Sequence, residues 1–201
     1  MPDRDLIKQN AKNAVASRRW LCIGAFFLCS AVAAAVSGAS FGLLALFVGP
    51  AMEVGRCGFA VRIWRGEDAD VETIFFGFRQ LFRNVGTMLL TYLSILLWSF
   101  LLVIPGVIRA YSLRLVPYIL ADSPDIRAVD ALRLSEAMTS GKRMELFLLD
   151  LSFLGWRILD LFTFGLLSLF YVTPWYEVTM AGYYDELSRA YYADPRPYGA
   201  V

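Results

Sequence analysis

The 201-residue chain contains no histidine. That removes Ser-His and Cys-His dyads, the zinc-protease motif and the usual imidazole metal ligands together. Cysteine is scarce as well: Cys22, Cys29 and Cys57 are the only three, with no CxxC pair. An odd number in or beside apolar helix argues against a disulfide framework or a zinc site, and each reads as a small packing residue. Charge is the third shortage, at 18% of residues where a soluble domain has about a quarter. The net charge is +1, and the basic residues sit at the ends of apolar runs rather than in one stripe, so nucleic acid is not an expected partner. No phosphate loop and no cofactor motif is present, and no cofactor is expected.

Apolar residues fill the space that charge leaves. They make up 58% of the chain, and the mean hydropathy is +0.53. Three long runs carry them: Leu21 to Met52, Val85 to Ile104 and Leu146 to Val172. Each reaches the roughly 20 residues that a helix needs to cross about 30 Å of hydrocarbon. The alternative, one all-helical soluble protein with a large core, leaves that much uninterrupted apolar sequence unexplained. At the N-terminus, "SRRWLCIGAFFLCSAVAAAVSGAS" has the basic front and small-residue end of a cleavable signal, and Ser17-Arg18-Arg19 resembles a twin-arginine motif. Its apolar part is too long for that and continues past the would-be cleavage site. Arg18 and Arg19 read instead as a cytoplasmic anchor with Trp20 at the interface.

The expected fold is all-α: a polytopic transmembrane helical bundle of about six spans, some broken or re-entrant, with short interfacial and cytoplasmic helices. One membrane domain covers 1–201, as a cytoplasmic N-terminal segment 1–19, a bundle 20–187 and a cytoplasmic tail 188–201. Spans are expected near 20–37, 41–62, 84–104, 107–121, 143–162 and 164–187. The fourth is short enough to be re-entrant, which would reduce the number to four or five. Gly49-Pro50 should kink the second or free a carbonyl, and the third should stop at Pro105-Gly106. Thr163-Phe164-Gly165 forms a hinge before the sixth, which Pro174 bends. Between spans, the spacing of Ile74, Phe75, Phe78, Leu81 and Phe82 predicts an amphipathic helix, either on the cytoplasmic membrane face or packed under a loop. Ser123-Pro124-Asp125 predicts a capped helix over 124–140.

Charge placement supports this topology. With both termini cytoplasmic, 15 of the 19 Lys and Arg residues fall in cytoplasmic segments, and the three outer turns carry no charge. The cytoplasmic (inner) membrane is therefore the expected location. The other four arginines, Arg56, Arg109, Arg114 and Arg157, fall in the spans beside the acids Glu53, Asp150, Asp160 and Glu177. A charge near the bilayer centre costs about 2.5–3.5 kcal/mol even on the gentler scales, so these eight should face inward and pair across helices. Asp150, Arg157 and Asp160 lie within about 80° of arc on one helix face, and Arg157 and Asp160 are close enough to pair directly. Asp150 is too deep to reach bulk water; Arg114 is its expected partner, with Arg157 or Arg56 as alternatives. The eight form a candidate polar network, structural or lining a hydrated site.

Several stretches, "IPGVIRAYS" (104–112), "YILADSPDIRAVDALRLSEAMTSGK" (118–142) and "ELFLLDLSFLGW" (145–156), carry a resemblance to a family. With Thr163, Gly165, Pro174, Ala181 and Tyr184, and the earlier Gly49-Pro50, "RGE" and "FFGF", they resemble bacterial membrane proteins grouped as domain of unknown function 975. That family is distantly similar to the membrane domains fused to some glycerophosphodiester phosphodiesterases. Asp150 matches the family pattern, whereas Arg157 and Asp160 stand where apolar or small residues are usual. The resemblance implies lipid surroundings and no particular chemistry.

Two functions fit. The first is a non-catalytic integral membrane protein that binds partners, lipids or peptides in or beside the bilayer, its partners being membrane lipids, a second copy or another membrane protein. The second is a small transporter or exporter component, for which the helix-break positions Gly49, Pro50, Pro105, Gly106, Thr163, Gly165 and Pro174 would flank a polar site. An intramembrane enzyme is the weakest reading, since ten helical residues put Asp150 and Asp160 about 15 Å apart.

Overall fold

The computed structural model describes residues 4–39, 45–163, 165 and 167–193, and these are all-helical. In chain order the helices are α1 (Arg4–Ser17), α2 (Arg19–Ala39), α3 (Ala45–Arg65), α4 (Leu81–Leu101), α5 (Val103–Ser112), α6 (Val116–Asp122), α7 (Ala128–Thr139), α8 (Arg143–Phe162) and α9 (Thr173–Ala193). A 3-10 helix, Val71–Phe78, precedes α4, and a π turn, Ser168–Val172, leads into α9.

The six expected spans each coincide with a long helical stretch: α2, α3, α4, the pair α5–α6, α8, and the π turn with α9. By length and apolarity, two of them qualify to cross a membrane, Leu81–Phe100 and Val103–Asp122. A third qualifies if α1 and Arg19–Ala35, bent by 93° at their junction, count together. Six crossings are thus not established by the helices alone. The reason is chemical: α3, α8 and α9 carry the charges that α4 lacks.

α9 is the centre of the packing. It is buried almost continuously from Pro174 to Ser188, and α3 and α1 lie against it. α1 is therefore not a free cytoplasmic segment. Its Ile7 and Ala11 are buried, the Trp175 indole N–H donates to the Lys8 carbonyl at 3.0 Å, and the Lys8 ammonium sits 4.8 Å from the Phe153 ring centroid.

The break positions divide. Thr163 caps α8 and Gly165 takes φ +84°, a backbone that only glycine adopts freely, so the chain does turn there; Phe164 lies outside the described residues. Pro174 is the second residue of α9, where the wider π turn gives way and a missing N–H costs little. α3, by contrast, runs unbroken through Gly49-Pro50. The third span ends at Leu102, in extended backbone, and Pro105-Gly106 lies one turn later, inside α5. A proline in a first turn removes an N–H that has no helical partner anyway. Gly106 serves the α4–α5 hairpin instead: a Cβ there would come within 2.2 Å of the Ser99 Oγ.

The amphipathic element is also different from the expectation. Residues 71–78 form a 3-10 helix that packs along α3 through Ile74 and Gly77 and leaves Phe75 exposed. Backbones touch: a Cβ at Gly55 would sit 1.7 Å from the Ile74 carbonyl oxygen, and one at Gly77 would sit 1.9 Å from that of Ala51. Leu81 and Phe82 already belong to α4.

The cap at Ser123 is not formed. α7 begins at Ala128 with no side-chain cap, and the Ser123 N–H closes α6 by bonding the Ile119 carbonyl at 2.8 Å. The Arg83 guanidinium donates to the carbonyls of Pro124 and Ile126 in the turn before α7. α7 packs against α4, α5, α6 and α9. The hydroxyls of Ser135 and Thr139 donate to the Ser112 carbonyl, at 2.8 and 3.1 Å, an acceptor that the break between α5 and α6 sets free.

Candidate functional site

Two of the break points set up the polar interior. The turn between α5 and α6 places Arg114 at its centre, flanked by Tyr111 and Tyr118. The π turn shifts the register of the start of α9 so that Tyr176 and Glu177 face that turn and α3.

Asp150, from the middle of α8, accepts three hydrogen bonds. They come from Arg114 Nη2 at 3.4 Å, the Tyr111 hydroxyl at 2.9 Å and the Tyr176 hydroxyl at 2.5 Å. The sequence-based pairing of Asp150 with Arg114 is what the structure contains. Arg114 also donates to the Tyr176 hydroxyl. That ring lies between two guanidinium groups, Arg114 at 6.0 Å and Arg157 at 5.5 Å from its centroid.

Glu177, 8% exposed, is held in the same way by one arginine and one tyrosine. Arg56 Nη2 lies 3.3 Å from Oε1, and the Tyr118 hydroxyl donates to Oε2 at 3.1 Å. Arg56 thus pairs with α9 rather than with Glu53 on its own helix. Glu53 accepts from the Tyr92 hydroxyl at 2.6 Å, outside the buried interior. Each buried carboxylate is matched by a charge-assisted donor and a phenol, which offsets most of the cost of desolvating it.

The remaining three of the eight residues separate. Arg109 bonds Ser94 at 3.0 Å and pairs with Glu136 of α7 at 2.8 Å, an acid that the sequence reading left among the cytoplasmic charges. Arg157 and Asp160 do not pair. Arg157 lies on the Tyr176 ring, and Asp160 accepts the Ser168 N–H at 2.7 Å, capping the turn after α8. The (i, i+3) spacing permits a pair, but an unsatisfied N–H at a helix start binds the carboxylate in better geometry.

A second cluster, which the sequence reading missed, ties the ends of α3, α6 and α9. Arg65 binds Asp122 with both terminal nitrogens, at 2.7 and 3.1 Å, and Asp185 through Nε at 2.9 Å. Tyr184 donates to Asp122 at 2.9 Å, Arg189 pairs with Asp185 at 2.8 Å, and Tyr184 stacks on Tyr118 of the first network. Hydrogen bonding to Asp122 raises the Arg65 guanidinium further above its ordinary pKa, so its charge is permanent. One charge at each of three helix ends was the available signal. Their separation in sequence, 57 and 120 residues, hides the pairing.

These networks clamp helices together. Among the described residues no group of His, Cys, Asp or Glu could hold a metal ion. Open space lies elsewhere. A groove of about 230 Å³ runs between α3 and residues 121–124, over Gly55, Gly58, Arg62 and Arg65. An adjoining groove of about 480 Å³ is lined by Arg62, Asp70, Glu72, Phe75, Phe76 and Arg79. A third, about 490 Å³, separates α7 from Tyr191 and Tyr192. None of the eight network residues lines any of these three.

No curated protein and no solved structure matches the chain. Residues 100–191, from the end of α4 nearly to the end of α9, match the model of the family described as protein of unknown function (DUF975).

Proposed function

We propose that this chain is a non-catalytic integral membrane protein that binds lipids, peptides or another membrane protein in or beside the bilayer. In this reading the six long helical stretches are six crossings of a bacterial cytoplasmic membrane, with both termini inside. One observation carries the proposal: the apolar helix is outside and the polar helix is inside. α4 and α5 expose Leu93, Leu97, Phe100, Val103 and Ile104, while α9 buries Glu177, Thr179 and Asp185. Lipid is the solvent in which that order is stable, since apolar side chains lose nothing against acyl chains and charges must find partners.

Reporter fusions at residue 201 and within 123–141, with extraction of the membrane fraction at alkaline pH, test this. Cytoplasmic signals at both places and resistance to extraction are expected. An external signal at either place overturns the six-span topology, and release into the soluble fraction overturns the membrane assignment. The second reading, a transporter component, requires the eight charged residues to face a hydrated path; their pairing within the bundle favours the first. Ion or substrate flux into liposomes containing the purified chain, abolished by Glu177→Gln, would reverse that preference.

A further inference from the structure

The groove of about 480 Å³ beside the C-terminal end of α3 differs from the interior in how its charges are used. In the interior, arginines and acids that share a space are bonded to each other, as in the pairs of Arg56, Arg65, Arg109 and Arg114. Here Arg62 and Arg79 face the same space as Asp70 and Glu72, and among the described residues none of the four takes part in an ion pair. The two positive and two negative groups cancel in charge yet stand apart. The volume falls within the range of about 300–1,000 Å³ usual for small-molecule sites.

The groove is held by its backbone, not by mobile side chains. Its floor is the 3-10 helix pressed onto α3 through Gly55 and Gly77. Within it the Asp70 N–H donates to the Thr73 hydroxyl at 3.3 Å, and the Arg79 guanidinium rests on the Phe76 ring at 5.3 Å from its centroid. Phe75, half exposed, forms one wall, and Phe82 and Trp20 are exposed on the neighbouring segments. Arg18, next to Trp20, donates to the Glu67 carbonyl at the rim of the adjoining groove. Exposed aromatic rings beside arginines are the composition of a membrane–water interface.

We infer that this groove binds the headgroup of a phospholipid that carries both a phosphate and a primary ammonium, the phosphatidylethanolamine type. The phosphate lies between Arg62 and Arg79, whose guanidinium groups present paired N–H donors to its oxygens. The ammonium lies against Asp70 and Glu72, to which it donates N–H bonds that a trimethylated amine cannot make. Acyl chains then run over Phe75 toward the apolar face of α4. The inference rests on the membrane reading above and names its ligand.

The test uses the full chain in nanodiscs, with native mass spectrometry of retained lipid. Phosphatidylethanolamine, phosphatidylcholine and phosphatidylglycerol of identical acyl chains are offered in competition. Retention of phosphatidylethanolamine about tenfold above both others is expected, because both carry the phosphate but lack the primary ammonium. Arg79→Gln, an exposed position resting on the Phe76 ring, should lower retention of all three lipids, and Arg62→Gln with Arg79→Gln should bring phosphatidylethanolamine down to the level of bulk lipid, so that no preference is left. Glu72→Gln should narrow the margin over phosphatidylglycerol more than the margin over phosphatidylcholine, because the trimethylammonium also loses its attraction to Glu72 whereas the glycerol headgroup has no cation to lose. Arg133→Gln, in the groove beside α7, should change nothing. Equal retention of the three lipids, or a preference that survives the double substitution, overturns the inference while leaving a membrane-embedded protein in place. Binding of soluble O-phosphoethanolamine without any lipid preference overturns the lipid assignment, and that arm can be run even if the chain proves not to be membrane-embedded.

Discussion

α4 and α9 are both 21 residues long and are packed in opposite senses. α4 has one charged residue, Arg83, and its apolar stretch is only 28% buried within the protein. α9 has four, Glu177, Asp185, Glu186 and Arg189, and is buried almost continuously from Pro174 to Ser188. In water this order would be upside down, since apolar area leaves solvent first and charge last. The difference teaches that the composition of α4 suits what its outer face meets, whereas that of α9 suits the partners inside. Each charge of α9 that lies inside is met by an arginine from α3, which itself is too charged to be an apolar span.

The comparison is broken most directly on α4. Leu93→Asp places a carboxylate on an exposed face near the middle of that helix; in hydrocarbon the cost is about 2.5–3.5 kcal/mol, in water close to nothing. Reduced membrane insertion is expected, measured as the membrane-integrated fraction of expressed protein. Unchanged insertion and stability would mean that α4 faces water.

Glycines sharpen the contrast through opposite signs. Gly55→Ala drives a Cβ into the Ile74 carbonyl, and a backbone obstacle cannot rotate away, so a loss of about 2–3 kcal/mol is expected in detergent unfolding. Gly86→Ala on α4 meets nothing within 4 Å and should stabilise by about 0.5–1 kcal/mol through helix propensity alone. Equal signs would show that the 3-10 helix is not docked as described.

The interior clamp gives a smaller effect because it is partly accessible. Asp150→Asn and Arg114→Gln should each cost about 2 kcal/mol, below the 3–5 kcal/mol of a fully enclosed pair. The double substitution should cost little more than either, and additive losses would show that the two side chains act separately. Smallest is Ser123→Ala, expected within about 0.5 kcal/mol because that side chain caps nothing, with unchanged hydrogen exchange over 128–132.

Much of the fold was legible. Helix positions followed from apolar runs near 20 residues and from the breaks at Thr163 and Gly165, and the depth of Asp150 on α8 was enough to demand an internal donor. Pro105 misled because a proline breaks a helix only where its neighbours need the missing N–H, and in a first turn they do not. Ser123 misled because the chain turns through 124–127 before α7 begins at Ala128, too far along for the Ser123 hydroxyl to accept from its first N–H groups. The Arg65 cluster was not legible, since charges at span ends look alike whether they meet water or each other.

By itself the sequence determined that the chain is helical, that it carries more apolar surface than a small core can bury, and that its few internal charges require partners. Periodicity, run length and desolvation cost are local properties and can be read locally. Only the tertiary structure decided which partners those are: tyrosine hydroxyls alongside arginines, Asp160 to a backbone N–H instead of Arg157, and four groove charges left facing each other across open space. Ion pairs act over a few ångströms, and which side chains come that close depends on how the helices cross, a long-range outcome of packing that no short stretch of the chain encodes.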